Sequence, residues 1–221
     1  MLNKAMILAA GFGTRLKPLT DTMPKALVEY NGIPMISRVI QKLTSEGIND
    51  IVINTHHFSD QMEKYFNENS FGVKITLVKE EEILGTGGAV KNAEKYLSDA
   101  DDFLVYNTDV DSDVNIHEMY QHHVNFKAIA TLAVQFRQTN RPILIDEDMN
   151  FRGRAYNSGY EFKKAAFCGI HVINKNIFRY FPDRKIFDII DFYCDLISAL
   201  DLKIKCYNII DIYWRDLGKE F

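Results

Sequence analysis

The chain has few of the residues that support a disulfide-stabilised or zinc-binding fold. Three cysteines occur among its 221 residues, at Cys168, Cys194 and Cys206. Their number is odd, they are widely spaced and none forms a C-x-x-C pair, which argues against a disulfide framework and against a zinc site. Each lies among apolar neighbours, so we expect all three to be small core side chains.

Long runs of one kind of side chain are also missing. No Lys/Arg block occurs and the formal net charge is −4, so we expect no nucleic-acid partner, which would need a broad basic face. The apolar run near the N-terminus reaches Gly11 too soon to span a membrane, and no later run is long enough. We therefore expect a cytoplasmic protein with no membrane partner.

The composition is that of an ordinary globular protein. Hydrophobic residues make up 47% of the chain and charged residues 25%, which excludes the disordered and fibrous classes. A chain of this length suits one α/β domain. With no internal repeat and no linker composition, residues 1–221 are expected to form a single domain.

The first half of the chain alternates between strand and helix patterns. Continuous or alternating apolar residues predict strands at residues 5–9, 51–53, 73–77 and 103–106. Helical spacing of apolar residues follows each of the first three, at residues 34–43, 58–66 and 85–97. This β-α-β-α-β-α-β order predicts an α/β fold, Rossmann-like, with a mixed, mainly parallel sheet and helices on both faces.

The second half is less regular and is expected to complete the same domain. Strands are predicted at residues 129–136, 143–145 and 167–173, with short strands near Ile204 and Trp214. Asn174 can cap a short helix, and a last helix is predicted from about Ile186 to Leu200.

A glycine-rich loop follows the first strand and reads Gly11-Phe12-Gly13-Thr14-Arg15, with Pro24-Lys25 after it. Glycines let backbone N–H groups approach an anion closely, so the loop can hold phosphate. It is neither a P-loop nor a dinucleotide fingerprint, because the residues that complete those motifs are absent. Arg15 and Lys25 could neutralise charge at a reacting phosphorus. Taken alone, the loop fits a tight turn with two solvated cations equally well.

The whole run from Leu8 to Leu27 resembles the signature of the sugar-1-phosphate nucleotidyltransferase family. Four further segments continue the resemblance in the same order along the chain. They are Leu84-Gly85-Thr86-Gly87-Gly88-Ala89 (base-reading loop), Asn107-Thr108-Asp109 (metal-binding turn), Phe167-Cys168-Gly169-Ile170 (sugar-pocket strand) and Trp214-Arg215-Asp216-Leu217-Gly218 (second metal carboxylate). The resemblance is weakest from about Gln121 to Lys164, and it implies the nucleotide-diphospho-sugar transferase fold.

The resemblance also implies a set of site residues. The expected catalytic residues are Arg15, Lys25 and Asp109, and Asp109 and Asp216 are expected to share one Mg²⁺ ion. The expected nucleotide-binding residues are Ala10, Gly11, Gly13, Thr14, Arg15, Glu80, Gly85, Thr86, Gly87, Gly88 and Asn107. The expected sugar-phosphate-binding residues are Arg141, Cys168 and Gly169.

The sequence departs from the family pattern at several of these positions. Thr108 stands where glycine is usual, and a β-branched residue disfavours positive φ, which puts the geometry of the metal-binding turn in question. The Glu-Lys pair that holds the sugar phosphate in many members is not evident. Arg141, Lys163 and Lys164 are its candidate substitutes, or else surface charges.

Glu80 either accepts hydrogen bonds from a base or belongs to a solvated acidic loop.

The function implied by the resemblance is transfer of a nucleotidyl group from a nucleoside triphosphate to a sugar 1-phosphate. The compact chain looks most like uridylyltransferases of cell-wall precursor synthesis, so the first expectation is UTP with N-acetylmuramate 1-phosphate. A GTP-dependent mannose- or heptose-1-phosphate guanylyltransferase is the alternative, and a phosphocholine cytidylyltransferase is a weaker one. A catalytically silent, ligand-sensing subunit of the same fold is the rival of a different class. Either a monomer or a homodimer is compatible with the sequence.

Overall fold

The computed structural model describes residues 1–155, 162–200 and 202–219. Its strands are β1 (Lys4–Leu8), β2 (Glu29–Tyr30), β3 (Ile33–Pro34), β4 (Asp50–Thr55), β5 (Lys74–Lys79), β6 (Asp102–Asn107), β7 (Val110–Ser112), β8 (Ala130–Gln135), β9 (Ile143–Ile145), β10 (Phe151–Arg154), β11 (Lys163–Asn174), β12 (Ile204–Asn208) and β13 (Trp214–Asp216). Its α-helices are α1 (Met35–Ser45), α2 (Ser59–Glu68), α3 (Gly85–Asn92), α4 (Glu94–Leu97), α5 (Ile116–Phe126) and α6 (Ile189–Leu200). None of the described helices is long and apolar enough to cross a membrane.

A nine-stranded sheet joins strands from both halves of the chain. Its main path runs β10-β9-β11-β6-β1-β4-β5, and β8 pairs with β11 and β12. The pairs β1–β4, β1–β6 and β4–β5 are parallel, whereas β11 is antiparallel to β6. The predicted mixed, mainly parallel α/β sheet is therefore confirmed.

The apolar runs of the sequence explain why β1 lies at the centre. Ala5, Met6 and Ile7 have no exposed surface. Met6 belongs to one apolar cluster, while Ala5 and Ile7 belong to the other. Because alternate side chains of a strand point to opposite faces, helices must cover both faces of this strand.

Several elements were not predicted from the sequence. Helix α5 occupies a segment to which no element had been assigned, and the last helix begins at Ile189, later than the predicted Ile186. The cap of α5 is nevertheless readable, because the Asn115 side chain accepts a hydrogen bond from the Glu118 N–H at 3.0 Å. The predicted cap at Asn174 is confirmed, although the helix that follows is a 3₁₀ helix, Lys175–Tyr180.

The cysteines lie where the sequence predicted. Cys168 and Cys206 are buried, Cys194 is partly buried, and all three are free thiols. The core expectation is thus confirmed for two of them and is partly right for Cys194.

Helix α3 packs closely against the chain segment that leads into α6. The amide groups of Gly87 and Gly88 donate to the Phe187 carbonyl oxygen at 3.0 and 3.3 Å. A Cβ atom on Gly88 would lie 2.1 Å from the Lys185 carbonyl oxygen and 2.9 Å from Leu84 Cβ. Only glycine allows this backbone-to-backbone approach.

Gly88→Ala should lower the free energy of unfolding by about 2 kcal/mol, because the added methyl group meets backbone that cannot move away easily. Gly11→Ala is the steric control, since no heavy atom lies within 4 Å of an added Cβ at that position. Urea unfolding of both variants measures the difference. Equal stability of the two variants would contradict this account of the packing.

Candidate active site

Two carboxylates from distant parts of the chain meet beyond the end of β6. Asp109 follows that strand, and Asp216 ends β13, which pairs antiparallel with β7 so that Asp216 lies opposite Val110. The Leu217 N–H donates to the Asp109 carbonyl oxygen at 2.8 Å. A Cβ on Gly218 would lie 2.9 Å from Asp109 Oδ2 and 3.1 Å from Asp216 Oδ1. Both carboxylates therefore face the space beside this glycine.

The cations of the glycine-rich loop lie against this carboxylate pair. Arg15 is 3.8 Å from Asp109 and 3.5 Å from Asp216, measured from its terminal nitrogens to Oδ2 of each. Lys25 Nζ contacts Oδ2 of Asp109. The structure thus brings together the predicted catalytic residues and the predicted metal ligands in one charged cluster.

The loop reaches this position because of one left-handed glycine. Gly13 has φ of 63°, and a Cβ there would lie 2.8 Å from Thr20 Cγ2 and 2.9 Å from Lys25 Cβ. The Thr20 hydroxyl donates to the Gly13 carbonyl oxygen at 2.9 Å and fixes the fold of the loop. Gly13 therefore shapes the loop, whereas Gly11 faces open space that an anion could approach. Thr14, the next predicted binding residue, is exposed at the start of a 3₁₀ turn.

Two cavities meet at Asp109. A small cavity of about 290 Å³ is lined by Ala10, Gly11, Lys25, Asn54, Glu80, Gly85 and Thr108, among others. A large cavity of about 650 Å³ is lined by Arg15, Arg137, Arg141, Cys168, Gly169, Trp214 and Asp216, among others. Leu8, Thr86, Asn107 and Asp109 line both. A molecule in each cavity would therefore meet the other at the carboxylate cluster.

Glu80 is buried and holds the wall of the small cavity. Its carboxylate accepts hydrogen bonds from Asn54 Nδ2 at 2.7 Å and from the Leu84 N–H at 3.3 Å. Asn54 Oδ1 in turn accepts from the Ala9 N–H at 2.8 Å. Burial raises the pKa of Glu80, although the hydrogen bonds from Asn54 and Leu84 oppose the shift. Glu80 is thus not part of a solvated acidic loop, and its contact with a base stays a prediction.

Gly87 and Gly88, which belong to the predicted nucleotide-binding set, use their amides within the protein. Both N–H groups already donate to the Phe187 carbonyl oxygen, so neither is free for a base. The hydroxyl of Thr86 accepts from the Ile189 N–H at 2.9 Å and donates to Asp188 at 3.3 Å. Gly87, Gly88 and Thr86 hold α3 against the segment that leads into α6, and close packing requires the two glycines. Their contact with a nucleotide stays a prediction.

The predicted sugar-phosphate residues lie around the large cavity, but they line it in different ways. The Cys168 side chain is fully buried, and burial raises the pKa of its thiol to about 12, against the opposing charge of Arg137. Gly169 has φ of 75°, and a Cβ there would lie 2.7 Å from Asn107 Nδ2. Cys168 and Gly169 therefore line the large cavity through their backbone atoms, at an irregular stretch of the β11–β8 pairing. Arg141 is exposed at the rim.

The candidate substitutes Lys163 and Lys164 are exposed and are not among the residues that line the large cavity. Sequence reasoning instead missed Arg137, and it named Trp214 only as part of the segment that carries the second metal carboxylate. The sequence did offer a sign of its role, because Arg137 follows a predicted strand and shares a short polar segment with Arg141.

The concern about Thr108 is also resolved. Its φ is not among the positive values found along the described backbone, so the turn does not need glycine. The side chain is buried, and its hydroxyl oxygen has no hydrogen-bond partner within the described residues. The turn carries Asp109 without the strain that a β-branched residue would suffer at positive φ.

Comparison with known proteins agrees with this arrangement. Residues 4–143 match the model of the family described as nucleotidyl transferase, which is more than half of the chain. The chain belongs to the nucleotidyl transferase family. The matched range includes the loop cations and Asp109, whereas Asp216 lies outside it.

Similar curated nucleotidyl transferases carry the names of guanylyltransferases. A mannose-1-phosphate guanyltransferase of Yarrowia lipolytica is 33% identical over 98% of this chain and 61% of its own length. One of Neurospora crassa is 45% identical over 54% of this chain and 34% of its own length. A D-glycero-alpha-D-manno-heptose 1-phosphate guanylyltransferase of Aneurinibacillus thermoaerophilus is 28% identical over 97% of this chain and 93% of its own length. The chain thus spans only a third to three fifths of these two fungal relatives.

Solved structures support the fold of this nucleotidyl transferase. HddC from Yersinia pseudotuberculosis, complexed with GMP-PN, superposes with a TM-score of 0.80 at 24% identity over 98% of this chain and 94% of that chain. UDP-glucose pyrophosphorylase from Acinetobacter baumannii gives 0.83 at 20% identity over 100% and 90%. The predicted nucleotide-diphospho-sugar transferase fold is confirmed.

The free energy of unfolding of the wild type relative to Glu80→Gln should rise as the pH falls from about 7 to about 5. A carboxyl group whose pKa is raised by folding takes up its proton in the folded protein at a pH where the unfolded chain is still ionised. Glu81→Gln, at an exposed neighbour, is the matched control and should give a flat difference. Urea unfolding across this pH range measures both. A flat difference for Glu80→Gln as well would refute the assignment of a raised pKa.

Proposed function

We propose that the chain transfers a guanylyl group from GTP to a sugar 1-phosphate of the mannose or manno-heptose type and releases pyrophosphate. The observation that carries the proposal is the cluster of Arg15, Lys25, Asp109 and Asp216 at the meeting point of two cavities. The two cavities, of about 650 and 290 Å³, offer separate spaces for two substrates. The small cavity would hold the nucleotide and the large cavity the sugar phosphate.

The choice of GTP differs from the first expectation drawn from the sequence. That expectation was UTP with N-acetylmuramate 1-phosphate, and none of the relatives described above carries such a name. The relatives named for mannose- and heptose-1-phosphate guanylyl transfer include one that the chain covers almost entirely. They support the guanylyl alternative better.

The carboxylate pair fits a hard divalent cation that is held in part by its substrate. Mg²⁺ prefers one or two carboxylates together with phosphate oxygens and water. Asp109 and Asp216 supply carboxylate oxygens that face one space. In the described ranges, no group of three or more His, Cys, Asp or Glu side chains is arranged to hold a metal ion by itself. Such an ion would supply positive charge at the α-phosphate. We propose that these two residues hold it.

The remaining chemistry belongs to positioning and charge neutralisation. A phosphate oxygen of the sugar 1-phosphate attacks the α-phosphorus, and the bond from that phosphorus to the pyrophosphate breaks. The attacking group is already an anion, so no general base is required. Arg15 and Lys25 lie where they could neutralise the charge that develops on the phosphoryl oxygens. The backbone beside Gly11 is open to the triphosphate.

Pyrophosphate release measures the nucleotide preference directly. With Mg²⁺ present, we expect kcat/KM for GTP with mannose 1-phosphate or the manno-heptose 1-phosphate to exceed that for UTP with N-acetylmuramate 1-phosphate by more than about tenfold, a difference of about 1.4 kcal/mol in transition-state binding. The reverse order would return the assignment to the uridylyl reaction. Nucleotide binding without any pyrophosphate release would favour the silent, ligand-sensing subunit.

Asp109→Asn and Asp216→Asn should each lower kcat by more than about a hundredfold, which corresponds to about 2.7 kcal/mol of transition-state stabilisation. Each variant removes one anionic ligand but keeps the shape of the side chain. Asp113→Asn, at an exposed residue that follows β7, is the control and should keep wild-type turnover. Circular dichroism establishes that the variants are folded. Near-normal activity of either cluster variant would remove the two-carboxylate model.

A further inference from the structure

Arg137 is held on the wall of the large cavity by an aromatic platform. Its guanidinium carbon lies 4.2 Å from the centre of the Trp214 ring, which is a cation–π contact. The indole N–H of Trp214 donates to the Cys168 carbonyl oxygen at 2.8 Å. The Trp214 ring is thus fixed to β11, and the guanidinium of Arg137 lies over that ring.

Among the described residues, no carboxylate balances the charge of Arg137. Within the described residues, its Nε atom is buried and has no hydrogen-bond partner, although the side chain also contacts the Cys168 thiol. In residues 1–155, 162–200 and 202–219, no carboxylate lies within 4 Å of the guanidinium. A buried donor without a partner destabilises the folded protein, so this arrangement favours an anionic or polar ligand.

Three other cations of the large cavity are already paired with carboxylates, whereas Arg141 is exposed at its rim. Arg15 lies against Asp109 and Asp216, and Lys219 is 3.2 Å from Asp216. Arg154 is bound to Asp188 at 2.8 Å and also to Asp191. Arg137 therefore differs from them in being fixed in place yet still available to a ligand.

The position of Arg137 relative to the reacting centre follows from strand geometry. Trp214 and Asp216 are two residues apart on β13, so their side chains lie on the same face of the strand. A group bound by Arg137 would therefore be next to the carboxylate cluster, on the side of the large cavity. A planar guanidinium matches a phosphate group with two parallel hydrogen bonds.

We propose that Arg137, stacked on Trp214, binds the phosphate group of the sugar 1-phosphate and orients it toward the carboxylate cluster. This inference rests on the proposed function, because it names a residue for the second substrate of that reaction. It fills the role for which the sequence offered Arg141, Lys163 and Lys164. Those three side chains are exposed.

Arg137→Lys tests the proposal, because it keeps the charge but loses the planar fork and most of the stacking. With GTP and mannose 1-phosphate, KM for the sugar phosphate should rise by about tenfold or more, while KM for GTP changes by less than about twofold. Trp214→Phe should give a smaller rise in the same KM, since a weaker platform remains. Arg179→Lys, an exposed arginine away from the cavity, is the matched control. Melting curves verify that each variant is folded.

A rise in KM that appears with Arg141→Lys and not with Arg137→Lys would overturn the assignment. So would an equal loss of affinity for both substrates in Arg137→Lys, because that result indicates a general structural defect.

Direct binding separates this inference from the proposed function. Calorimetry with mannose 1-phosphate, glucose 1-phosphate and unphosphorylated mannose needs no turnover. In one outcome, no nucleotide supports pyrophosphate release, but the wild type binds a sugar 1-phosphate about tenfold more tightly than Arg137→Lys does and does not bind mannose. The inference then stands and the proposed function fails. If turnover is found but Arg137→Lys binds mannose 1-phosphate as tightly as the wild type, the proposed function stands and the inference fails. Failure of the wild type to bind either sugar phosphate would overturn the inference.

Discussion

The pairing of β13 with β7 is the constraint on which the site depends. Asp109 follows a buried central strand, so its position is set by the sheet. Asp216 is far away in sequence and reaches the same space only because Trp214–Asp216 adds to Val110–Ser112. The Leu217 N–H then closes the junction on the Asp109 carbonyl oxygen. Without this short pairing, Arg15 would lose one of its two carboxylates, and the large cavity would lose the Trp214 wall.

The parts of the fold that sequence could predict are those in which one physical signal dominates. Continuous apolar runs such as residues 5–9 can be accommodated only in a strand covered on both faces, and the parallel half of the sheet follows from them. The charged cluster was likewise accessible, because the loop signature and the two aspartate turns are each specific. The resemblance supplied their convergence, which spacing alone could not.

The remaining features depend on contacts between segments that are distant in sequence. The pattern around Gly87 and Gly88 predicted a base-binding loop. Their amides donate to the Phe187 carbonyl oxygen, and no local sequence pattern predicts this contact. Glu80 could not be separated from its acidic neighbours until its burial and its bonds to Asn54 and Leu84 were known. No sequence pattern marked Arg137, since the aromatic ring beneath it comes from Trp214, 77 residues further along the chain.

Thr86 gives the two cavities a common wall. One hydroxyl group accepts from the Ile189 N–H and donates to Asp188, while Asp188 also holds Arg154 on the far side. Helix α3 borders the small cavity, and the start of α6 borders the large one. A tilt of α3 would therefore also displace Ile189 and Ile190, which line the large cavity. If the two cavities hold the two substrates as proposed, a change of nucleotide preference would therefore also alter the fit of the sugar phosphate.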